Sequence, residues 1–195
     1  MPTCIVAVRG EDGSITMGGD RAISYASTLF KTGEPKVFEL VGEEGEQFLV
    51  GCSGAMRAIN PIQHGFTPPR HKKGVADMLY MITEFLPALR IVMKKARAIY
   101  SENGRLDADV WALIGYRNYI YSFDAFEVVQ IDDDEFATGS GMDFALGSLY
   151  TTKESDLTPT DRVTWALEAA AFYNPYVADP FDIVTIVGVD TEEEG

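Results

Sequence analysis

The first forty residues constrain this chain most. Thr3-Cys4-Ile5-Val6-Ala7-Val8 is an apolar strand, and Glu11-Asp12-Gly13 follows as a tight turn. A second strand ends in Gly18-Gly19-Asp20-Arg21. Lys36 opens a third, Lys36-Val37-Phe38-Glu39-Leu40, 16 residues after Asp20. A chain that begins this way starts by building sheet, and it places a hydroxyl, a carboxylate and an ammonium at the ends of neighbouring strands.

The rest of the pattern alternates blocks of strand and helix. Residues 4–9 and 14–19 read as one hairpin, and 36–41 and 47–51 as another across the turn Gly42 to Glu46. A short helix is expected over 54–60, stopped by Pro61, and then a basic surface loop over 61–73. Val75, Met78, Leu79, Ile82, Phe85, Leu86, Leu89, Val92 and Met93 recur at helical spacing within 75–99, with a kink expected at Pro87. Strands follow at 110–116, 119–123 and 126–130, with Arg117-Asn118 as a turn. Ala137-Thr138-Gly139-Ser140-Gly141 opens a helix over about 142–151. Thr158-Pro159 is a helix start, with Thr as the cap and Pro at the first helical position. That helix should reach Phe172 or Tyr173, and a last strand should run from Ile183 to Val189 before an acidic tail over 190–195. Helix blocks segregated from strand blocks indicate a layered α+β protein, with two sheets between helical layers, as one domain over 1–195.

Charge and composition exclude several functions. The net charge of −14 argues against a nucleic-acid partner and an anionic membrane surface. No run is long and apolar enough to span a membrane, and no signal peptide is apparent. Cys4 and Cys52 do not make a disulfide framework, so a cytoplasmic chain with two free thiols is expected. His64 and His71 are the only histidines, which leaves no metal-ligand spacing and no Ser-His-Asp triad. No cofactor is expected.

Taken in order, these pieces resemble the proteasome β-type subunits, and among them the bacterial HslV-like proteins. The resemblance runs from Thr3 to about Val189. It rests on the Thr-x-Ile-Val-x-Val strand, Gly19-Asp20-Arg21, the spacing of Asp20 to Lys36, Gly51-Cys52-Ser53-Gly54-Ala55, and Ala137 to Gly141 followed by Phe144-Ala145-Leu146-Gly147. It implies a four-layer αββα sandwich of the N-terminal-nucleophile hydrolase type. It also implies a homo-oligomeric ring around a chamber, peptide or protein substrates, and in some members an ATP-driven unfoldase.

The resemblance assigns roles by position. Thr3 would be the nucleophile, with its freed amine as base; an α-amine has an ordinary pKa of about 7.7–8.0 and can be unprotonated at neutral pH. Lys36 would lower the pKa of that centre, Asp20 would hold Lys36, and Ser140 would bond near the amine. Backbone amides around Ser53 and Gly54 would form the oxyanion hole. Asn174 stands nearest the place of a further carboxylate in the family, with Asp179 the nearest acid, so either is a candidate to orient the amine. Each residue also has an ordinary reading: Asp20 as a hairpin cap, Lys36 as a solvated edge residue, Ser140 as a helix N-cap.

Two questions stay open in the sequence. Thr3 lies 17 residues before Asp20 and Cys4 lies 16, and the family spacing matches Cys4. The strand pattern matches Thr3, because a one-residue slip would turn every side chain to the other face; Cys4 remains the alternative nucleophile. Met1-Pro2 reads as a short leader, and Pro2 stands where self-processing relatives carry Gly, which makes cleavage before Thr3 harder. A peptidase with exposed Thr3 and an inactive scaffold subunit with an unprocessed N-terminus are two readings; an amidase or acylase acting on a small substrate is a third, because the same chemistry serves it.

Overall fold

The computed structural model describes residues 3–25, 28–102, 105–124 and 126–189. The leader Met1-Pro2 and the tail over 190–195 lie outside them. The chain opens with strands β1 (Cys4–Arg9), β2 (Ile15–Asp20), β3 (Ala22–Tyr25), β4 (Thr28–Lys31), β5 (Val37–Val41) and β6 (Gln47–Gly54). Helices α1 (Met56–Gly65), α2 (Asp77–Tyr80) and α3 (Leu86–Lys95) follow, with a π-helical turn at Met81–Phe85 between the last two. Next come β7 (Ile99–Glu102), β8 (Arg105–Ala108), β9 (Val110–Tyr116), β10 (Tyr119–Asp124), β11 (Val128–Ile131) and β12 (Glu135–Gly139). Helices α4 (Met142–Thr152) and α5 (Pro159–Tyr173) precede the last strand, β13 (Phe181–Ile186).

Two antiparallel sheets form the centre. One has the order β12-β1-β2-β13 and the other β11-β10-β9-β6-β5. Strand alternation explains what each buries. Ile5 and Ala7 of β1 and Ile15 and Met17 of β2 meet Val37, Leu49, Leu113 and Ile120 of the other sheet. Cys4, Val6 and Val8 point the opposite way, into a second cluster with Leu149 of α4 and Val163, Leu167 and Ala170 of α5. A third cluster joins β6, β9 and β10 to α1 and α3 through Phe48, Val50, Ala112, Ile59, Ile62 and Leu89. β1 is thus covered on both faces, which is why its sequence is an unbroken apolar run.

The structure departs from the sequence pattern in several places. Residues 135–139 form a strand, β12, pairing with β1 from Cys4↔Gly139 to Val8↔Glu135. Only Ser140 and Gly141 remain as the turn into α4. The α1 helix runs through Pro61 to Gly65. An interior proline costs ~3 kcal/mol, but Ile59 and Ile62 are buried on either side of it, each contributing roughly 1.5–3 kcal/mol. The expected long helix over 75–99 is divided, and residues 99–102 are strand. Pro87 sits in the first turn of α3, and the π-helical turn precedes it. Proline has no N–H and its ring crowds the carbonyl four residues earlier, here Thr83 inside that turn, so the ladder widens there instead of kinking at Pro87.

The loop over 61–73 is not wholly at the surface. His71 is buried and stacks on Tyr80 at 4.3 Å between ring centres. Its Nδ1 lies 2.7 Å from the Tyr116 hydroxyl and its Nε2 2.7 Å from the Val75 carbonyl. A carbonyl only accepts, so Nε2 carries the hydrogen and the Tyr116 hydroxyl donates to Nδ1 in the neutral ring. The last strand is Phe181–Ile186, earlier than the expected 183–189.

The start of α5 agrees with its sequence signal. Thr158 Oγ1 accepts from the Asp161 amide at 3.1 Å, and Asp161 Oδ2 accepts from the Thr158 amide at 3.3 Å. Two otherwise unbonded amides are satisfied reciprocally. Thr158→Ala should lower stability by about 1 kcal/mol, measured as a shift in the urea midpoint with an unchanged slope.

Candidate active site

Three side chains from three strand ends meet under the N-terminal end of β1. Thr3 is 1 % exposed, Asp20 0 % and Lys36 2 %. Lys36 Nζ donates to Thr3 Oγ1 at 2.9 Å and to Asp20 Oδ1 at 3.3 Å, and it also donates to the Ala22 carbonyl. An ammonium has three N–H groups, and three acceptors among the described residues face it. Asp20 is held in turn by the amides of Cys4, at 2.9 Å to Oδ1, and Ala22, at 2.9 Å to Oδ2. Asp20 therefore anchors β1, β3 and Lys36 together rather than capping a hairpin.

Lys36 adjoins β5, the edge strand of its sheet, but it is buried and not solvated. Its carbonyl accepts from the Cys52 amide at 2.8 Å, the last rung between the β5 and β6 segments, and its side chain turns inward. Burial pulls its pKa below the ordinary lysine value, and the Asp20 carboxylate beside it opposes that shift.

The turn after β12 wraps the backbone of Thr3. Ser140 Oγ lies 3.3 Å from the Thr3 amide nitrogen, from which it accepts, and 3.3 Å from the Thr3 carbonyl. The Gly141 amide donates to that carbonyl at 3.2 Å. Ser140 makes no cap for α4, whose N-cap is Gly141 without a side-chain bond. Gly139 has φ +97°, and a Cβ there would stand 2.3 Å from the Thr3 oxygen, so only glycine fits this approach.

The remaining candidates are placed as follows. The Cys4 side chain faces the α5 side, in contact range of Gly141, and burial pushes its thiol up to about 12. Ser53 is buried at the end of β6, with its Oγ near Gly139. Gly54 has φ +148°, and a Cβ would lie 2.1 Å from the Asp109 carbonyl. Asn174 is buried and bonds to Ser140, not to the Thr3 amide: its Nδ2 donates to the Ser140 carbonyl at 2.6 Å. Asp179 is not brought to Thr3; its exposed carboxylate lies 3.4 Å from Lys31 Nζ. The Ala22 carbonyl and the Gly139 backbone act without a telling side chain; sequence reasoning missed the first and quoted Gly139 only as part of the Ala137 to Gly141 element. Among the described residues no group of His, Cys, Asp and Glu is arranged to hold a metal ion, and no helix is long and apolar enough to cross a membrane.

No protein-family model and no curated protein matches the sequence. Solved structures do match. BPH of Thiobacillus denitrificans, solved in complex with epoxomicin, superimposes with a TM-score of 0.73 at 18 % identity, covering 96 % of this chain and 100 % of that one. The chain has the fold of HslV-like proteasome-type proteins. Eukaryotic HslV from Trypanosoma brucei matches with a TM-score of 0.65 at 16 % identity, over 94 % of this chain and 99 % of that one. The Anbu complex of Pseudomonas aeruginosa, solved as a helical assembly, matches at 0.66 and 16 % identity, over 94 % of this chain and 81 % of that one.

The buried ammonium gives a pH test. Because the folded-state pKa of Lys36 lies below the unfolded value, the unfolded chain binds more protons in the interval between the two. Lys36 should therefore make stability rise with pH through that interval, up to the ordinary lysine value of 10.5. Lys36→Met should lack this rise. The check is the difference in denaturation midpoint between wild type and variant from neutral pH to pH 10.5, which should change in favour of wild type as pH increases.

Proposed function

We propose that this chain is a threonine peptidase that hydrolyses peptide bonds with the N-terminal amine and hydroxyl of a processed Thr3. One observation carries the reading: Lys36 Nζ stands 2.9 Å from Thr3 Oγ1 in a buried pocket it shares with Asp20. Lysine at that place donates to the hydroxyl oxygen and leaves the hydroxyl proton free to go elsewhere. With residues 1–2 removed, the Thr3 nitrogen is an amine that takes that proton. Oγ1 then attacks the substrate carbonyl, and the developing alkoxide is stabilised by the ammonium. The amine returns its proton to the leaving amino group. Water then hydrolyses the ester on Thr3 by the same exchange.

The ladder between the β5 and β6 segments ends at the Cys52 amide. Gly54 follows on the same side of β6, beyond that last rung, which supports its amide, with Ser53 beside it, as the oxyanion donor. The pleat supports Thr3 over Cys4 as nucleophile, since successive residues of β1 face opposite sides and Lys36 lies on the side of Thr3.

The same proposal includes a four-layer αββα arrangement as one domain, self-assembly of copies into a ring, cytoplasmic location and delivery of peptide substrate by an ATP-driven unfoldase. The three apolar clusters support the layering, and the helical assembly of Anbu supports self-association.

A second reading is favoured by Pro2, which stands before Thr3 in the sequence. If Met-Pro stays attached, the nitrogen of Thr3 is an amide and cannot act as base, and the chain is a scaffold subunit of the same assembly.

Intact mass and N-terminal sequencing of assembled protein from its native host separate the two. A chain beginning at Thr3 should cleave peptides and be modified by epoxomicin, the compound captured on BPH. Thr3→Ala should then lose at least about 10³-fold in kcat, and Lys36→Met roughly 10²-fold or more, while Cys4→Ala retains activity. Assembled particles beginning at Met1 or Pro2 would leave the scaffold reading standing.

A further inference from the structure

Asn174 joins two elements of the site that share no other side-chain bridge among the described hydrogen bonds. It closes α5, its own amide donating to the Ala170 carbonyl at 2.9 Å, while its carbonyl accepts from Val177 at 3.1 Å. Its side chain leaves the helix and crosses to the turn after β12. There Nδ2 donates to the Ser140 carbonyl at 2.6 Å, and Oδ1 accepts from the Tyr176 amide at 2.9 Å. The two partners fix the orientation of the amide: a carbonyl only accepts and a backbone N–H only donates. Both ends of the side chain are used, and the residue is buried.

We propose that Asn174 is a positioning residue that sets the Ser140 hydroxyl against the Thr3 nitrogen, and that it does so as a hydrogen-bond donor, a task a carboxylate cannot perform. The proposal rests on the peptidase reading for its effect on rate, but its geometry stands without it. Ser140 is exposed and lies on a two-residue turn between β12 and α4, with no side-chain cap to hold it. Its hydroxyl is 3.3 Å from the Thr3 nitrogen, at the outer limit of a useful hydrogen bond. A small displacement of the turn removes that bond. The Asn174 amide pins the carbonyl of the same residue from the α5 side, and the Gly141 amide pins the turn to the Thr3 carbonyl from the other.

An ionised aspartate at 174 would place an oxygen against the Ser140 oxygen, and both are acceptors. A protonated aspartate would restore the pattern, with its O–H donating to Ser140 and its carbonyl accepting from Tyr176. The sign follows. N174D should be most impaired where the carboxyl is ionised, and its activity relative to wild type should climb as pH falls through that titration. N174A lacks both groups, so its relative activity should stay flat with pH.

The test uses the full chain beginning at Thr3, as wild type, S140A, N174A, N174D and the S140A/N174A double variant, each shown folded by circular dichroism at every pH used. Two readouts are taken: kcat and KM for a fluorogenic peptide, and the pKa of the Thr3 amine from the pH dependence of its acylation followed by mass. A hydroxyl that accepts from the amine favours the charged form. S140A and N174A should therefore both lower the amine pKa, and the double variant should lower it no further than S140A alone. In kinetics, N174A should lose about tenfold or more in kcat with KM nearly unchanged.

An amine pKa in N174A equal to wild type, with S140A shifted, overturns the proposal. So does a double variant whose losses are the product of the two singles, or a relative activity of N174D that does not vary with pH. A wild type that cleaves nothing sinks the peptidase reading alone, since the amine titration still decides whether Asn174 acts through Ser140.

Discussion

Everything at this site depends on one buried ammonium. Lys36 Nζ is enclosed by Thr3 Oγ1, Asp20 Oδ1 and the Ala22 carbonyl. Burying a charge is costly unless it is paired and bonded, and removing one partner of a buried pair typically costs roughly 3–5 kcal/mol. The surroundings are built to avoid that. Asp20 supplies the opposite charge, and two backbone amides, from Cys4 and Ala22, hold its carboxylate so that it cannot turn away. The same contacts tie the start of β1, the end of β2 and the start of β3 to the β5 segment. The arrangement of Thr3, Asp20 and Lys36 and the closure of the two sheets at this end are one set of bonds, so a change that loosens one loosens the other.

Much of this was legible in the sequence where side chains carry the information. The hairpin of β1 and β2, the second hairpin with Lys36 at its start, the Thr158 cap and the gathering of Thr3, Asp20 and Lys36 all rest on residue type and spacing. The parts that were not legible share a cause. β12 is a strand because β1 has an unpaired edge beside it, and nothing local in Glu135-Phe136-Ala137-Thr138-Gly139 says so. The hairpins β3–β4 and β7–β8 are short and carry little apolar alternation, the signal that marks a strand. His71 looks like a solvated loop residue next to Lys72 and Lys73, but it is buried by Tyr80 and Tyr116, residues 9 and 45 positions further on. α1 continues through Pro61 because burial on the far side outweighs a local penalty. In each case tertiary packing overrides a propensity that acts only over a few residues.

At the start of β1, counting and strand facing point to different residues, Cys4 and Thr3. Spacing to Asp20 matches Cys4. A turn at the surface absorbs an insertion at little cost, whereas the pleat of a strand covered on both faces absorbs none. An insertion in the turn between β1 and β2 would move the number and leave the facing unchanged. Cys4 is packed toward α5, where burial disfavours its thiolate, and its contribution to the site is its backbone amide, which holds Asp20.

Asn174 follows the same logic from the opposite direction. By position alone it stands where a charge is expected, and by type it cannot carry one. The structure shows why an amide suits this chain: the group it must hold is a carbonyl oxygen, and on its other side is an N–H. A side chain that donates at one end and accepts at the other fits both, and an ionised carboxylate fits only one. The residue that looks like a lost catalytic acid in the sequence is thus better understood as a brace between α5 and the turn bearing Ser140. The consequence for the site is that Thr3 is set from two sides by different means. Lys36 and Asp20 fix its hydroxyl by charge from within the sheets, and Ser140, braced by Asn174, meets its nitrogen by neutral hydrogen bonds from the helical side. A proton passing from the hydroxyl to the nitrogen would cross between these two environments, leaving oxygen next to the ammonium and arriving beside the neutral Ser140 hydroxyl.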